Sequence, residues 1–154
     1  MRDRDFMKLA VEEARSGIRM GQTPHGACLV KDDEVVSAAH STWVASNDVT
    51  AHAEVNAVRE ACRRLNTLDL SGAVVYCTAE PCPMCFIICH LAKVSKIVFG
   101  TPMKESQKSG FTRFPALSAE QIKQLGGSGI EIVGGVLYEE CKQLFREWSN
   151  QNRK

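Results

Sequence analysis

The residues best suited to chemistry in this sequence are two cysteines, Cys82 and Cys85, which are separated by Pro83 and Met84. Two thiolates at this C-x-x-C spacing can bind one metal ion at the start of a helix, where the helix N-terminus stabilises their negative charge. Thioredoxin-like redox pairs have the same spacing, and a structural zinc site would need a second ligand pair that the sequence does not offer. The pair alone therefore leaves a catalytic metal site, a structural metal site and a redox pair open.

A histidine and a glutamate at the start of another predicted helix complete a possible catalytic site. His52 precedes Glu54 by two residues, which is about 200° of helical turn, so both side chains can reach one site only where the helix begins. With Cys82 and Cys85, His52 would give zinc three protein ligands and leave the fourth position to water, as in catalytic zinc sites. Glu54 would then be the base beside that water. The alternative is that His52 packs at the helix end and Glu54 is a solvated first-turn acid.

Alternating strands and helices must position these residues. Apolar and β-branched runs predict strands, and helical spacing predicts helices, including a short one from Ser118. The predicted strands are 26–30, 35–39, 73–78, 96–99 and 130–133, and the longer helices are 3–20, 52–65, 81–92 and 136–148. Because helix 81–92 separates strands 73–78 and 96–99, we expect these two strands to be parallel and the helix to cross over one face.

Residues 100–116 show no period and are predicted to form a long loop, a possible lid that carries Phe111 and Phe114. We find no repeat or linker that divides the sequence, so a single domain spanning residues 1–154 is expected.

Length, charge and cysteine content exclude several classes of protein. The 154 residues, 44% hydrophobic and 24% charged, suit one domain with a single core. A net charge of +1 lacks the basic footprint of a strong nucleic-acid binder. No apolar run has the length of a signal peptide or a membrane span, so we expect a cytoplasmic protein without membrane contact. Seven irregularly spaced cysteines fit a reducing compartment better than a disulfide framework.

Two motifs together resemble those of the zinc-dependent deaminases of the cytidine deaminase superfamily. His52-Ala53-Glu54 and Pro81-Cys82-Pro83-Met84-Cys85 match its H-x-E…P-C-x-x-C signature. The resemblance covers most of the chain, in order and spacing, through residues 24–27, 47–54, 80–85 and 134–141. Bacterial guanine deaminases are similar in the S-N-D-x-T-A-H-A-E and E-P-C-P-M-C stretches, and tRNA-specific adenosine deaminases in the closing G-V-L-x-x-E-C stretch.

The resemblance implies an α/β fold, a three-layer α/β/α sandwich around a mixed, mostly five-stranded sheet. It also implies Zn²⁺ bound by His52, Cys82 and Cys85, a homodimer, and hydrolytic removal of an exocyclic amine as ammonia. Glu54 would be the catalytic residue that carries the proton from water to the ring nitrogen and then to the leaving ammonia.

Substrate contacts are expected from a further set of residues: Ser41, Ala53, Glu80, Pro81, His25, Asn47, Phe111 and Glu105. By resemblance, backbone groups at Ala53 and around Glu80 and Pro81 would hold the edge of the base, and His25 would lie in a pocket wall. Ser41 stands where the resemblance leads us to expect an asparagine that contacts substrate. Guanine deaminases carry an acidic residue that serves guanine in the segment after the fourth strand, and Glu105 is the nearest acidic candidate in this sequence. Asn47 would contact substrate or brace a turn, and Phe111 would close over a planar ring.

We expect a small-molecule substrate, most of all a free purine such as guanine, because the segments that would face RNA carry few positive charges. Residues 136–154 hold four basic and three acidic side chains, and residues 101–115 hold three basic and one acidic. The alternatives are a tRNA-specific adenosine deaminase and a deaminase of another base or nucleoside such as cytosine. A third alternative is a non-enzymatic domain that keeps the zinc site only for its structure. Such a site would have no need of Glu54 beside an open coordination position.

Overall fold

The computed structural model describes residues 2–111 and 117–152, which form a mixed five-stranded sheet between two layers of helices. The strand order in the sheet is β2-β1-β3-β4-β5. In chain order the elements are α1 (Asp3–Arg19), β1 (Gly26–Lys31), β2 (Glu34–His40), α2 (Trp43–Ser46), α3 (Ala53–Leu65), β3 (Val74–Ala79), α4 (Pro83–Leu91), β4 (Lys96–Thr101), α5 (Met103–Lys108), α6 (Ala119–Gly126), β5 (Glu131–Val133) and α7 (Tyr138–Gln151).

The two faces of the sheet carry separate hydrophobic cores. Side chains alternate along each strand, so Ala27 and Leu29 of β1 pack with α3, α4 and α6, whereas Cys28 and Val30 pack with α1 and α7. This arrangement confirms the predicted three-layer α/β/α sandwich. Within the described ranges, no helix is both long and apolar enough to cross a membrane.

The sheet topology brings four strand ends to one edge. β1 is antiparallel to β2 and to β3, so the start of β1 lies beside the ends of β2 and β3. β3 and β4 are parallel, as predicted from the helix between them, and they end together where Ala79 pairs with Thr101. The segments that follow these strands, and the segment that precedes β1, therefore meet at this edge, which we call the site edge.

The hairpin between β1 and β2 is tighter than predicted. The strands extend to Lys31 and Glu34, and only Asp32 and Asp33 connect them. Both connecting residues have positive φ angles, 53° and 60°, which are typical of a type I′ turn that matches the twist of a hairpin.

The prediction of a long loop over residues 100–116 is wrong for the first part of this segment. β4 continues to Thr101, and residues Met103–Lys108 form α5. The first N–H of this short helix is bound by the Glu80 carboxylate, a contact from a distant part of the chain that no local pattern reveals. Residues 112–116, including Phe114, lie outside the described residues.

Two further differences from the sequence prediction are a helix that was not predicted and a helix that begins later than predicted. A short helix, α2, occupies part of the polar stretch before His52, and it ends at Asn47 in the left-handed conformation. α7 begins at Tyr138 rather than at 136, because Leu137 has a φ of 52° and does not continue a right-handed helix.

Candidate active site

Two helix N-termini hold the three possible zinc ligands. His52 is the N-cap residue of α3 and Cys82 is the N-cap residue of α4, and both have an extended backbone. Pro83 occupies the first turn of α4, where proline favours a helix start. Cys85 follows one turn later and is fully buried. Because α4 follows β3 at the site edge, the C-x-x-C pair faces the start of α3.

The distances between the three side chains fit zinc. His52 Nδ1 lies 3.8 Å from Cys82 Sγ and 3.5 Å from Cys85 Sγ, and all three ligand atoms lie within 4.8 Å of one another. A tetrahedral zinc ion with ordinary Zn–N and Zn–S bonds separates nitrogen from sulfur by about 3.6 Å. One ion can therefore bind all three atoms, and the donor set of one imidazole and two thiolates is one that zinc prefers.

The two thiols are not equivalent. The pKa of Cys82 is lowered to about 4, first because Cys85 donates a hydrogen bond to it and further because His52 does. The pKa of Cys85 is raised well above its usual value, because this thiol donates a hydrogen bond to the Cys82 thiolate and is buried. The pair is thus arranged around one negative charge, and a divalent cation would stabilise both sulfurs as thiolates.

The carbonyl of Val49 lies near the His52 imidazole. The pKa of His52 is raised, first by the hydrogen bond with Cys82 and, as the smallest cause, by the Val49 backbone. Since Nδ1 faces the two sulfurs, Nε2 is the ring nitrogen left for a backbone acceptor, and metal-binding histidines commonly direct their second nitrogen to one.

Glu54 lies against the same group of side chains. It is buried on the first turn of α3, and its carboxylate lies within hydrogen-bond reach of the Cys85 sulfur. Burial raises the pKa of Glu54, and the nearby Cys82 thiolate raises it further. A carboxylate with a raised pKa next to a metal site can both accept and return a proton near neutral pH.

His25 and Ser41 meet beside this cluster. The Ser41 N–H donates to the His25 carbonyl at 3.1 Å, and Thr23 Oγ1 lies 3.0 Å from Ser41 Oγ and 3.2 Å from His25 Nδ1. Trp43 Nε1 donates to the same Thr23 oxygen at 3.0 Å. Burial lowers the pKa of His25 to about 4, and the charge of His52 acts in the same direction.

The predicted contact residues Ala53, Glu80 and Pro81 are all buried near the ligands. The Glu80 side chain, however, is fully engaged by the protein, since its two oxygens accept hydrogen bonds from Met103 N–H at 2.9 Å and Ala119 N–H at 2.6 Å. Glu80 N–H also donates to the Thr101 carbonyl. Because both carboxylate oxygens and the N–H have partners within the protein, we expect the backbone carbonyl of Glu80 to be its contact with the substrate.

Three other predicted contact residues have partners within the protein. The Phe111 ring packs against His25 at 5.0 Å between centroids and against Trp148 at 4.8 Å. Glu105 accepts a hydrogen bond from the Tyr138 hydroxyl and pairs with Lys108. Asn47 ends α2. The next residue, Asp48, braces the turn, because its carboxylate accepts hydrogen bonds from the N–H and the hydroxyl of Thr50.

Sequence reasoning missed three residues of this region: Thr23, Trp43 and Val49. Each acts through a contact between segments that are distant in the chain or through a backbone carbonyl. No motif marks them, although the polar Thr23 immediately before the Pro24-His25 pair is a weak signal for a hydrogen bond at the pocket wall.

Comparison with known proteins agrees with this site. Residues 1–101 match the family model of the cytidine and deoxycytidylate deaminase zinc-binding region. The chain belongs to this family: it is a zinc-binding deaminase, a hydrolase that acts on C–N bonds of a nucleobase or nucleoside.

The relatives fall into two groups. The chain is 37% identical over 152 residues to the tRNA-specific adenosine deaminase of Bacillus subtilis (strain 168), covering 99% of this chain and 91% of that protein. It is 35% identical over 112 residues to the guanine deaminase of the same organism, covering 72% of each. A solved structure from work on A-to-I editing by tRNA A34 deaminases at the wobble position has a TM-score of 0.80 at 30% identity, covering 91% of this chain and 98% of that one.

Proposed function

We propose that this protein deaminates a purine by hydrolysis and that its substrate is an adenosine in a tRNA. The reaction rests on one observation: the buried Glu54 lies in hydrogen-bond contact with a His52-Cys82-Cys85 group of zinc-binding dimensions. The substrate is supported by the similarity to a tRNA-specific adenosine deaminase over 99% of the chain. Free guanine, which the sequence favours, has the shorter match of 72%.

The chain holds the reacting groups as follows. Zinc, when bound by His52, Cys82 and Cys85, supplies a Lewis acid that lowers the pKa of a coordinated water to about 7. The Glu54 carboxylate accepts a proton from the attacking water and delivers it to the ring nitrogen next to the carbon under attack. Glu54 then carries the second proton to the leaving amine, so water and an amino-substituted ring become a carbonyl and ammonia.

Residues at the site edge would orient the ring. We assign Ser41 and His25 to its polar edge, because they lie together next to His52, and the backbone at Ala53, Glu80 and Pro81 to the side that carries the amine. Phe111 supplies a flat apolar surface at His25, which suits a planar base.

The substitution Glu54→Gln tests the reaction. It removes the proton carrier but keeps the size of the side chain, so we expect bound zinc and the melting temperature to change little while kcat falls by about three orders of magnitude or more. Inosine formed in an adenosine-containing anticodon stem-loop, measured with released ammonia, gives the rate. Glu60→Gln, on the solvent side of the same helix, is the matched control and should keep full activity. Activity of Glu54→Gln within tenfold of the parent would refute this role of Glu54.

Free guanine is a second candidate, supported by the 35% identity to a guanine deaminase. Equal concentrations of the stem-loop, free guanine and free adenine, assayed with one enzyme preparation, separate the two. Conversion of the stem-loop with no release of ammonia from either free base supports the tRNA substrate. Rapid deamination of guanine with an unreacted stem-loop supports guanine.

We also propose a cytoplasmic homodimer. All seven cysteines are free thiols, which suits a reducing compartment. Ile87 and Leu91 of α4 are exposed apolar side chains, and a second copy would bury them. Sedimentation equilibrium of the zinc-loaded protein measures the oligomeric state.

A further inference from the structure

A hydrogen-bonded group of four side chains, which we call the Thr23 hub, joins the two predicted polar contacts of the substrate. Thr23 and Ser41 are almost completely buried. Thr23 Oγ1 lies within hydrogen-bond distance of Ser41 Oγ, His25 Nδ1 and Trp43 Nε1. The threonine itself follows α1, and its hydroxyl is the shared centre of all three bonds.

The proton count at this hydroxyl restricts the hub to two arrangements. A threonine hydroxyl has one proton to donate and two lone pairs to accept with. The indole of Trp43 can only donate, so it occupies one lone pair. The Thr23 proton then goes either to Ser41 or to His25, and the other of these two must donate into the remaining lone pair.

In the arrangement that we favour, Thr23 donates to Ser41 across 3.0 Å. In this arrangement the Ser41 hydroxyl has its own proton left for another acceptor. A neutral His25 donates its Nδ1 proton to Thr23, which leaves Nε2 as an acceptor. The low pKa of His25 agrees with a neutral imidazole at physiological pH.

The hub is close to the reaction centre. Thr42, next to Ser41, donates its N–H to the carbonyl of Ala51, the residue before His52. Asn56 of α3 donates to Thr42 Oγ1 and to the His40 carbonyl. The segment that carries Ser41 is therefore fixed to the start of α3, where His52 and Glu54 lie.

We propose that Thr23 is a positioning residue that determines substrate specificity: it holds Ser41 as a hydrogen-bond donor and His25 as an acceptor towards the substrate. The proposal rests on the deaminase function given above and extends it. The matching substrate edge offers an acceptor next to a donor; an adenosine, which has no ring N–H, can present them as a ring nitrogen such as N3 and the neighbouring ribose 2′-hydroxyl. Thr23 does not touch the substrate and acts through Ser41 and His25.

Thr23→Val tests the proposal, because valine keeps the shape of threonine and removes the hydroxyl. We expect KM for the deaminated substrate to rise about five- to tenfold, which is the effect of losing one hydrogen bond between the protein and the substrate. We expect kcat to change less than threefold. Thr23→Ser, which keeps the hydroxyl, should return KM to within about twofold of the parent. Zinc content and melting temperature show whether either variant has lost its fold.

The tautomer of His25 gives a readout that does not depend on activity. Imidazole ¹⁵N shifts in long-range ¹H–¹⁵N spectra, assigned with a His25→Asn variant, should show the proton on Nδ1 in the parent and in Thr23→Ser, and on Nε2 in Thr23→Val. A proton on Nε2 in the parent, or KM values of Thr23→Val within twofold of the parent, would overturn the proposal. If the parent deaminates no substrate, the proposed function fails, and the spectra still test the hub.

Discussion

Cys82 and Cys85 have pKa shifts of opposite direction although they lie within a single helical turn. Cys82, at the N-cap of α4, has its pKa lowered to about 4, whereas the buried Cys85 has a raised pKa. The C-x-x-C spacing and the H-x-E motif make the ligand set predictable from the sequence. The neighbours Thr23, Trp43 and Val49 could not be predicted, because their roles depend on which segments the fold brings into contact.

At the residue scale, Cys82→Ala should abolish stoichiometric zinc binding. The substitution leaves one imidazole and one thiolate, and two ligands do not hold zinc in competition with a chelator. We expect about one zinc per chain in the parent and less than one tenth of that in the variant after dialysis against a mild chelator, measured by elemental analysis. Cys62→Ala, at a partly buried cysteine near the end of α3, is the control and should keep its zinc. Full zinc content in Cys82→Ala would contradict the ligand assignment.

At the element scale, Glu80 connects parts of the fold that the sequence leaves unrelated. It follows β3, and its carboxylate binds the first N–H groups of α5 and α6. Periodicity predicts the strands and the longer helices because their core faces are continuous. It does not predict α5, a six-residue helix that depends on this carboxylate and on burial of Met103 and Ser106.

Glu80→Gln should therefore destabilise the fold. The amide keeps one oxygen, so its NH₂ group is forced against one of the two backbone donors, and a buried N–H loses its acceptor. We expect the free energy of unfolding to fall by about 1–3 kcal/mol in a denaturant titration of the zinc-saturated protein, with zinc content unchanged. Glu120→Gln, in the exposed first turn of α6, should change it by less than about 0.5 kcal/mol. Equal stability of the two variants would show that Glu80 does not support α5 and α6.

At the scale of the whole molecule, the sheet separates the helices into two layers. α7 packs with α1 on one face, and α3 packs with α4 on the other. Along α7 an open depression of about 540 Å³ is lined by Arg146, Phe145 and Trp148, together with Lys108 of α5. Trp148 and Phe145 also contact Phe111, which packs on His25. The depression is thus continuous, through these rings, with the wall of the candidate active site.

This arrangement predicts how a tRNA substrate would respond to salt. Cations beside aromatic rings suit the phosphates and bases that flank a target nucleotide, and removing one cation that neutralises a phosphate lowers the salt dependence of binding by about 0.7–0.9 on a log–log plot. Arg146→Gln should lower kcat/KM for the stem-loop about three- to tenfold at low salt, flatten its salt dependence by that amount, and leave any turnover of a free base unchanged. Arg63→Gln removes the same charge from α3, on the opposite face of the sheet, and should leave both rates unchanged. The measurement is initial rates of inosine formation between about 50 and 200 mM salt. If both arginine variants reduced the stem-loop rate equally, net charge rather than the surface of α7 would control the RNA encounter, and this placement of the substrate would be wrong.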